Sequence, residues 1–149
     1  MVDVFSKTVR SRVMATIRSR GNKATEIRLL AIFKQYKIIG WCRHLPMVGT
    51  PDFAFRTQRV AVFVDGCFWH GCPAHSHLPK SNQKYWRRKL LNNKLRDQVV
   101  DVELRRRGWC VVRLWQHELL DEGKTAARVI KALKRMPKQP MRSATQRSE

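Results

Sequence analysis

Apolar residues recur at intervals of three or four along four segments of the chain, the spacing that gives a helix one apolar face. Ser6 and Asn22 are suitable N-terminal caps for the first two segments, and Gly108 is a suitable stop for the third. The pattern predicts helices at residues 6–17, 22–36, 82–108 and 125–135.

Short, mostly apolar segments between these helices have the composition of β-strands. Residues 38–44, 51–56 and 60–65 follow one another closely, and the polar triplet "TQR" between the last two indicates a hairpin turn. "VAVFV" is typical of a buried central strand, and the later "WCVVRLW", at residues 109–115, of another buried strand. The order α-α-β-β-β-α-β-α predicts a three-layer α/β fold, with one mixed sheet of about four strands flanked by helices.

The chain length of 149 residues suits one globular core and not two. We expect a basic N-terminal arm or helix at residues 1–20, a folded domain at residues 21–135 and a disordered polar tail at residues 136–149. No segment has the roughly 18 apolar residues of a membrane-spanning helix, and the first residues do not form a signal peptide. These features predict a cytoplasmic protein with no membrane partner.

The chain has 31 lysines and arginines against 11 aspartates and glutamates, which gives a formal net charge of +20. A surface this basic repels itself unless a polyanion neutralises it. Because the basic residues are spread from Lys7 to Arg147, the charge belongs to the folded surface, and nucleic acid is the first candidate partner. A basic surface that is merely solvated is the alternative.

Cysteines and histidines cluster in the segment "VDGCFWHGCPAHSH". Cys67, Cys72 and His75 offer three ligands within nine residues, a spacing that lets one loop surround a tetrahedral zinc ion. The fourth ligand must come from elsewhere, and His117, just after the last predicted strand, competes with His77 for that position. A closed four-ligand site would be structural, whereas free thiols beside unrelated surface histidines are the alternative.

Two acidic residues flank the predicted hairpin in the sequence: Asp52 begins its first strand and Asp65 ends its second strand. Pairing of the strands would bring Asp52 close to Val64 and Asp65 and form an oxygen-rich pocket suited to Mg²⁺. Glu26, on the preceding helix, could complete this pocket. His70 is then the obvious base to activate water for phosphodiester cleavage. The alternative is that Asp52, after its proline, is an ordinary turn aspartate.

Four aromatic residues, Phe68, Trp69, Tyr85 and Trp86, stand in polar, basic surroundings. Flat side chains on a basic surface can wedge between stacked DNA bases. Packing of Trp69 or Trp86 in the core is equally compatible with the sequence.

The segments "PDF", "VFVDGCFWHGCPAH", "YWRRKLLNNKLRD" and "GWCVVRLWQHEL" together resemble the very-short-patch mismatch repair endonucleases, which nick DNA beside a T:G mismatch. The resemblance covers about residues 3–120, and its "GCFWHGCP" block is highly specific. It implies a restriction-endonuclease-like α/β core with a catalytic Mg²⁺ and a structural Zn²⁺.

The resemblance also implies roles for individual residues. Asp52 matches the metal-binding aspartate, His70 the catalytic histidine and Glu26 the helix glutamate near the active site. The main-chain carbonyl of Val64 takes the position of a second metal contact. The zinc positions are occupied by Cys67, Cys72, His75 and His117. The DNA-intercalating positions, including one on the N-terminal arm, are occupied by Phe68, Trp69, Trp86 and Met14. Supporting positions near the scissile phosphate are occupied by Asn93, Arg96 and Asp97.

The chain departs from the family pattern in three places. Val64 and Asp65 replace a Thr-His pair, so that either a phosphate-facing histidine is absent or Asp65 adds a metal ligand. His117 replaces a cysteine ligand seen in some members. Phe63 and Asp65 stand where the wider superfamily has Glu and Lys, which leaves the base chemistry to His70.

The function implied by the resemblance is Mg²⁺-dependent nicking of one DNA strand beside a T:G mismatch, in the repair of deaminated 5-methylcytosine. A nucleoid-associated monomer that works with mismatch-repair proteins would suit it. The alternatives are a zinc-stabilised DNA-binding module without catalysis and a nuclease for matched or damaged DNA. The presence of Glu26, Asp52, Asp65 and His70 around one sheet edge favours an enzyme over a binding module.

Overall fold

The computed structural model describes residues 23–67, 71–74 and 78–136. The helix predicted at residues 6–17 and the tail from residue 137 onward lie outside these ranges. The helices are α1 (Lys23–Gln35), α2 (Gln83–Arg106) and α3 (Glu122–Arg135). The strands are β1 (Trp41–Arg43), β2 (Phe53–Phe55), β3 (Val60–Asp65) and β4 (Cys110–Trp115), and a 3₁₀ helix (Gln116–Leu120) follows β4.

The four strands form one sheet in the order β1-β2-β3-β4. β2 is antiparallel to both β1 and β3, with Phe53 opposite Val62 in the predicted hairpin. β4 runs parallel to β3, and the long helix α2 makes the crossover between them. The prediction of one mixed sheet of four strands is therefore confirmed.

Helices cover both faces of this sheet, because alternate residues of the central strands point to opposite sides. On one face, Phe53 and Val62 pack against apolar residues of α1 and α3. On the other face, Ala61 and Phe63 pack against Leu104 of α2. The result is the predicted arrangement of three layers, with the sheet in the middle.

The bounds of several elements differ from the prediction, and those of β1 and α3 differ most. β1 is shorter than predicted because the N–H of Ile38 bonds to the carbonyl of Phe33 at 2.8 Å, which keeps Ile38 in the last turn after α1. α3 begins at Glu122, earlier than the predicted residue 125, because Asp121 Oδ1 accepts a hydrogen bond from the N–H of Lys124 at 3.1 Å and caps the helix.

Gly108 ends the turn after α2, as predicted, with φ at +85°, a backbone conformation that costs other residues free energy. The N–H of Trp109 bonds to the carbonyl of Leu104 at 2.9 Å and closes this turn. Among the described residues, every helix is too short or too polar to cross a membrane.

Candidate active site and metal centre

Asp52 immediately precedes β2, and its carboxylate lies at the end of β3. Its Oδ2 accepts a hydrogen bond from the main-chain N–H of Val64 at 2.7 Å. The antiparallel register of β2 and β3 brings the beginning of one strand to the end of the other. The predicted approach of Asp52 to Val64 is therefore observed.

Glu26 reaches the same place from the first turn of α1. It is only 3% exposed, and its Oε2 accepts a hydrogen bond from Arg43 Nη2 at 2.6 Å. The same oxygen lies 3.3 Å from His44 Nε2. Oε1, in contrast, is buried without a hydrogen-bond partner. A buried carboxylate oxygen without a donor is costly, so a proton or a cation bound there would stabilise the folded chain.

The ionisation of Asp52 is affected by its surroundings in this pocket. Burial, together with the negative charge of Glu26, raises the pKa of Asp52 to about 7, and the hydrogen bond from Val64 opposes part of the rise. Glu26, Asp52 and His44 each offer one ligand atom, and these atoms lie within 4.8 Å of one another. Such a buried, oxygen-rich pair, with one oxygen lacking a donor, fits a divalent cation.

Asp65 has a different set of neighbours from the predicted one. Its Oδ1 lies 3.0 Å from Arg113 Nη1, and the residue is 5% exposed. Arg113, on the adjacent strand β4, also pairs with Asp101 at 2.7 Å and lies 4.4 Å from the ring centre of Phe63. The Asp65 charge still contributes to the raised pKa of Asp52. A role of Asp65 as a metal ligand stays a prediction, and any such role must compete with Arg113.

Two cysteines and a histidine come together at the end of the sheet. The Sγ atoms of Cys67 and Cys72 lie 3.3 and 3.7 Å from Nδ1 of His117. Cys67 follows β3 and His117 follows β4, and these parallel neighbours end at the same edge, as predicted. The three residues form a possible metal site.

The surroundings of Cys67 disfavour its thiolate form. Burial raises its pKa above the ordinary value, and the neighbouring Cys72 adds to the rise, while the main chain at His117 opposes it. A metal ion here would displace the thiol proton, because the thiolate is the ligand.

Several predicted site residues lie outside the described residues. The predicted base is His70, the predicted zinc ligands are His75 and its alternative His77, and the predicted intercalating residues are Met14, Phe68 and Trp69. Their roles stay predictions.

The N-terminal half of α2 presents a basic surface beside the cysteine loop. Its exposed cations include Lys84, Arg87 and Arg88. A Cβ atom added to Gly71 would lie 2.5 Å from Cε of Lys94, so the loop and the helix are in close contact there. This surface has the sign of charge that DNA phosphates require.

The two aromatic residues at the start of α2 differ in exposure. Trp86 is 6% exposed, which agrees with the alternative of core packing, whereas Tyr85 is 58% exposed. Their rings meet edge to face with the centres 5.2 Å apart. Farther along α2, Arg96 is exposed, while Asp97 is half-buried with its Oδ1 3.7 Å from Nη1 of Arg113.

Sequence reasoning missed His44 and Arg113. The sequence did contain a signal for His44. Pairing of β1 with β2 sets Arg43 opposite Phe53 and therefore His44 opposite Asp52. The N–H of His44 lies 3.4 Å from the carbonyl oxygen of Asp52. Arg113 had no such signal. It reaches Asp65 only through the parallel pairing of β3 with β4 across the α2 crossover.

A buried carboxylate pair at the end of a mixed sheet, within a strongly basic α/β protein, is an arrangement suited to a nuclease. The DNA mismatch endonuclease Vsr family model matches residues 2–76. The chain belongs to this family of DNA endonucleases, and membership implies the restriction-endonuclease-like fold.

Curated relatives agree with this assignment. The type II nicking enzyme V.XorIIP of Xanthomonas oryzae pv. oryzae is 37% identical over 131 residues, which cover 87% of this chain and 95% of that relative. The DNA mismatch endonuclease Vsr of Escherichia coli is 31% identical over 78% of this chain and 74% of its own length. The type II nicking enzyme V.NaeI of Lentzea aerocolonigenes is 47% identical, but the match spans only 51% of this chain and 46% of that relative.

Proposed function

We propose that this endonuclease uses Mg²⁺ to nick one strand of DNA beside a T:G mismatch, in very-short-patch repair of deaminated 5-methylcytosine. The observation that carries the proposal is the pair of carboxylates Asp52 and Glu26, one with its pKa raised to about 7 and the other with a buried oxygen that lacks a donor. A protein that only bound DNA would gain nothing from this costly pair. The names of its relatives, nicking enzymes and a mismatch endonuclease, support the same reaction.

Asp52 and Glu26, with the main-chain carbonyl of Val64, are the residues that would hold Mg²⁺. The chemistry that this ion supplies when bound is neutralisation of the negative charge that develops on the phosphodiester. The hydrogen bond from the N–H of Val64 fixes one oxygen of Asp52 and leaves the other available. His70 is the proposed base that takes the proton of the attacking water.

A structural Zn²⁺ held by Cys67, Cys72 and His117, with His75 as the fourth ligand, is the second part of the proposal. These ligands join the end of β3 to the 3₁₀ helix after β4. Because His70 lies between the two cysteines in the sequence, the zinc would restrict the position of the base.

The proposed DNA interface combines the net charge of +20 with aromatic wedges. Phe68, Trp69 and Met14 are the proposed intercalating residues. Trp86 is 6% exposed, so that intercalation by its ring would require it to leave its packed position when DNA binds. The supporting residues near the scissile phosphate are Asn93, Arg96 and Asp97. The proposed working form is a cytoplasmic, nucleoid-associated monomer that acts with mismatch-repair proteins.

The test is a nicking assay on duplexes that are identical except for T:G, A:T or G:C at one position, with each strand labelled in turn. We expect one strand of the T:G duplex to be nicked only when Mg²⁺ is present. Asp52→Asn should lower the rate by about a hundredfold or more, because loss of the metal site removes several kcal/mol of transition-state stabilisation. Asp121→Asn, which changes an exposed carboxylate at the start of α3, is the matched control and should nick normally.

Two results would contradict the proposal: no Mg²⁺-dependent nicking of any duplex by the wild-type protein, or undiminished nicking by Asp52→Asn. Equal nicking of the matched duplexes would instead favour an endonuclease for other DNA sites.

A further inference from the structure

His44 is held beside the carboxylate pair by its own backbone. It follows β1 directly, and its N–H lies 3.4 Å from the main-chain oxygen of Asp52. Its φ of +49° lies in the left-handed region, which is uncommon for a residue with a side chain and costs free energy. Backbone strain of this kind persists only where the surrounding structure fixes the residue. Here the surrounding structure fixes the imidazole of His44 at the pocket of Glu26 and Asp52.

The side chain of His44 has the geometry of a metal ligand. Its Nε2 lies 3.3 Å from Glu26 Oε2, and both atoms lie within 4.8 Å of an oxygen of Asp52. Two ligand atoms at about 2.1 Å from one ion and at right angles to it are about 3 Å apart. The separation between Glu26 and His44 is therefore close to that of neighbouring ligands on a single ion.

A second observation points to a cation at this pocket. Glu26 is 3% exposed, and its Oε1 has no hydrogen-bond partner. The carboxylate of Asp52 belongs to the same pocket, and a divalent cation between the two carboxylates would satisfy this oxygen. Arg43 neutralises only the other oxygen, Oε2, from a side chain that is 38% exposed.

We propose that Nε2 of His44 is a direct ligand of the divalent cation held by Asp52 and Glu26, which makes this a mixed nitrogen and oxygen site that favours first-row transition ions over Mg²⁺. The inference rests on the proposed function, since it concerns the cation of the same site. An imidazole nitrogen suits transition ions, whereas Mg²⁺ prefers oxygen ligands and keeps several waters. Mn²⁺ is the probe, because it is paramagnetic and shares the oxygen ligands of Mg²⁺.

The experiment is pulsed electron paramagnetic resonance of Mn²⁺ bound to the full-length protein, loaded beforehand with one equivalent of zinc, which the thiolates of the cysteine site bind in preference to the carboxylate site. We expect nitrogen modulation from one directly coordinated imidazole in the wild-type protein. His44→Asn should abolish that modulation and weaken Mn²⁺ binding by about tenfold or more. Mg²⁺ binding, measured by competition, should weaken by less than about threefold. Asparagine tolerates the left-handed backbone, and a thermal melt checks that the variant folds.

Arg43→Ala is the matched control, because it removes the other cation on Glu26 Oε2 without removing a ligand atom. It should keep the nitrogen modulation and bind Mn²⁺ at least as tightly as the wild-type protein. Bound Mn²⁺ without nitrogen modulation, modulation that persists in His44→Asn, or an equal loss of Mn²⁺ and Mg²⁺ binding would each overturn the inference while leaving a divalent cation at Asp52. Failure of the wild-type protein to bind either ion would overturn the inference and the proposed metal dependence together.

Discussion

Replacement of Asp52 by asparagine should stabilise the cation-free protein at neutral pH while it removes activity. In the folded chain Asp52 keeps its proton up to about pH 7, whereas the unfolded chain loses it near the ordinary pKa of 3.8. Between these values the folded state binds more protons, so its free energy of unfolding falls as the pH rises. The difference between the two pKa values corresponds to about 4 kcal/mol.

Asparagine removes this pH dependence without removing the hydrogen bond. Its amide oxygen can still accept from the N–H of Val64, which now lies 2.7 Å from Oδ2 of Asp52. The stability of Asp52→Asn relative to the wild-type protein should therefore rise between pH 4 and pH 7 by about 4 kcal/mol and stay constant at higher pH. Near pH 4 the two proteins should be about equally stable.

The assay is denaturant unfolding of zinc-loaded protein in Mg²⁺-free buffer at intervals from pH 4 to pH 8. Asp121→Asn controls for the loss of one negative charge, and because asparagine also caps helices its effect should stay within about 0.5 kcal/mol. Mg²⁺ at a hundred times its dissociation constant should then stabilise the wild-type protein by about 2.7 kcal/mol and leave Asp52→Asn nearly unchanged. A relative stability that does not vary with pH, or a variant less stable at pH 8, would refute the reasoning.

Three further predictions concern the rest of the sheet. Arg113→Ala should destabilise the protein by about 3 to 5 kcal/mol in denaturant unfolding, because it removes the guanidinium that pairs with the buried Asp65; a loss below 1 kcal/mol would show that the pair is dispensable. Cys67→Ala should lose the bound zinc, about one ion per chain by metal analysis, and full retention would exclude Cys67 as a ligand. Gly108→Ala should cost about 1 kcal/mol, since φ at Gly108 is +85°, and an unchanged melting temperature would contradict this.

The strands and helices were predictable where the physical signal is local. The apolar run at β3 specifies a buried strand, and Gly108 specifies the end of the turn after α2. β4 was also predicted to be buried, but it lies at the edge of the sheet and only Val112 and Leu114 are buried in it. The earlier start of α3 was also encoded locally, in the cap at Asp121, and was missed because the apolar stripe begins later. The 3₁₀ helix at Gln116–Leu120 has no apolar periodicity of its own, so the pattern did not indicate it.

The candidate site was predictable only in part, because it depends on contacts between distant segments. The approach of Asp52 to Val64 and of His117 to Cys67 followed from strand order. The partner of Asp65 did not, since Arg113 is 48 residues away in the sequence and is set by the register of a parallel pair. Charge alone would have favoured any of the 31 lysines and arginines as its partner.

The pair of Asp65 and Arg113 has a consequence for how this sequence can change over evolution. Loss of Arg113 alone removes the guanidinium beside the buried Asp65, and loss of Asp65 alone removes one of the three carboxylates around Arg113, so that selection would act against either single change. The two positions should therefore change together among related sequences. Where a relative has histidine in place of Asp65, we expect a neutral residue in place of Arg113. The presence of this ion pair in a relative could then be inferred from its sequence alone.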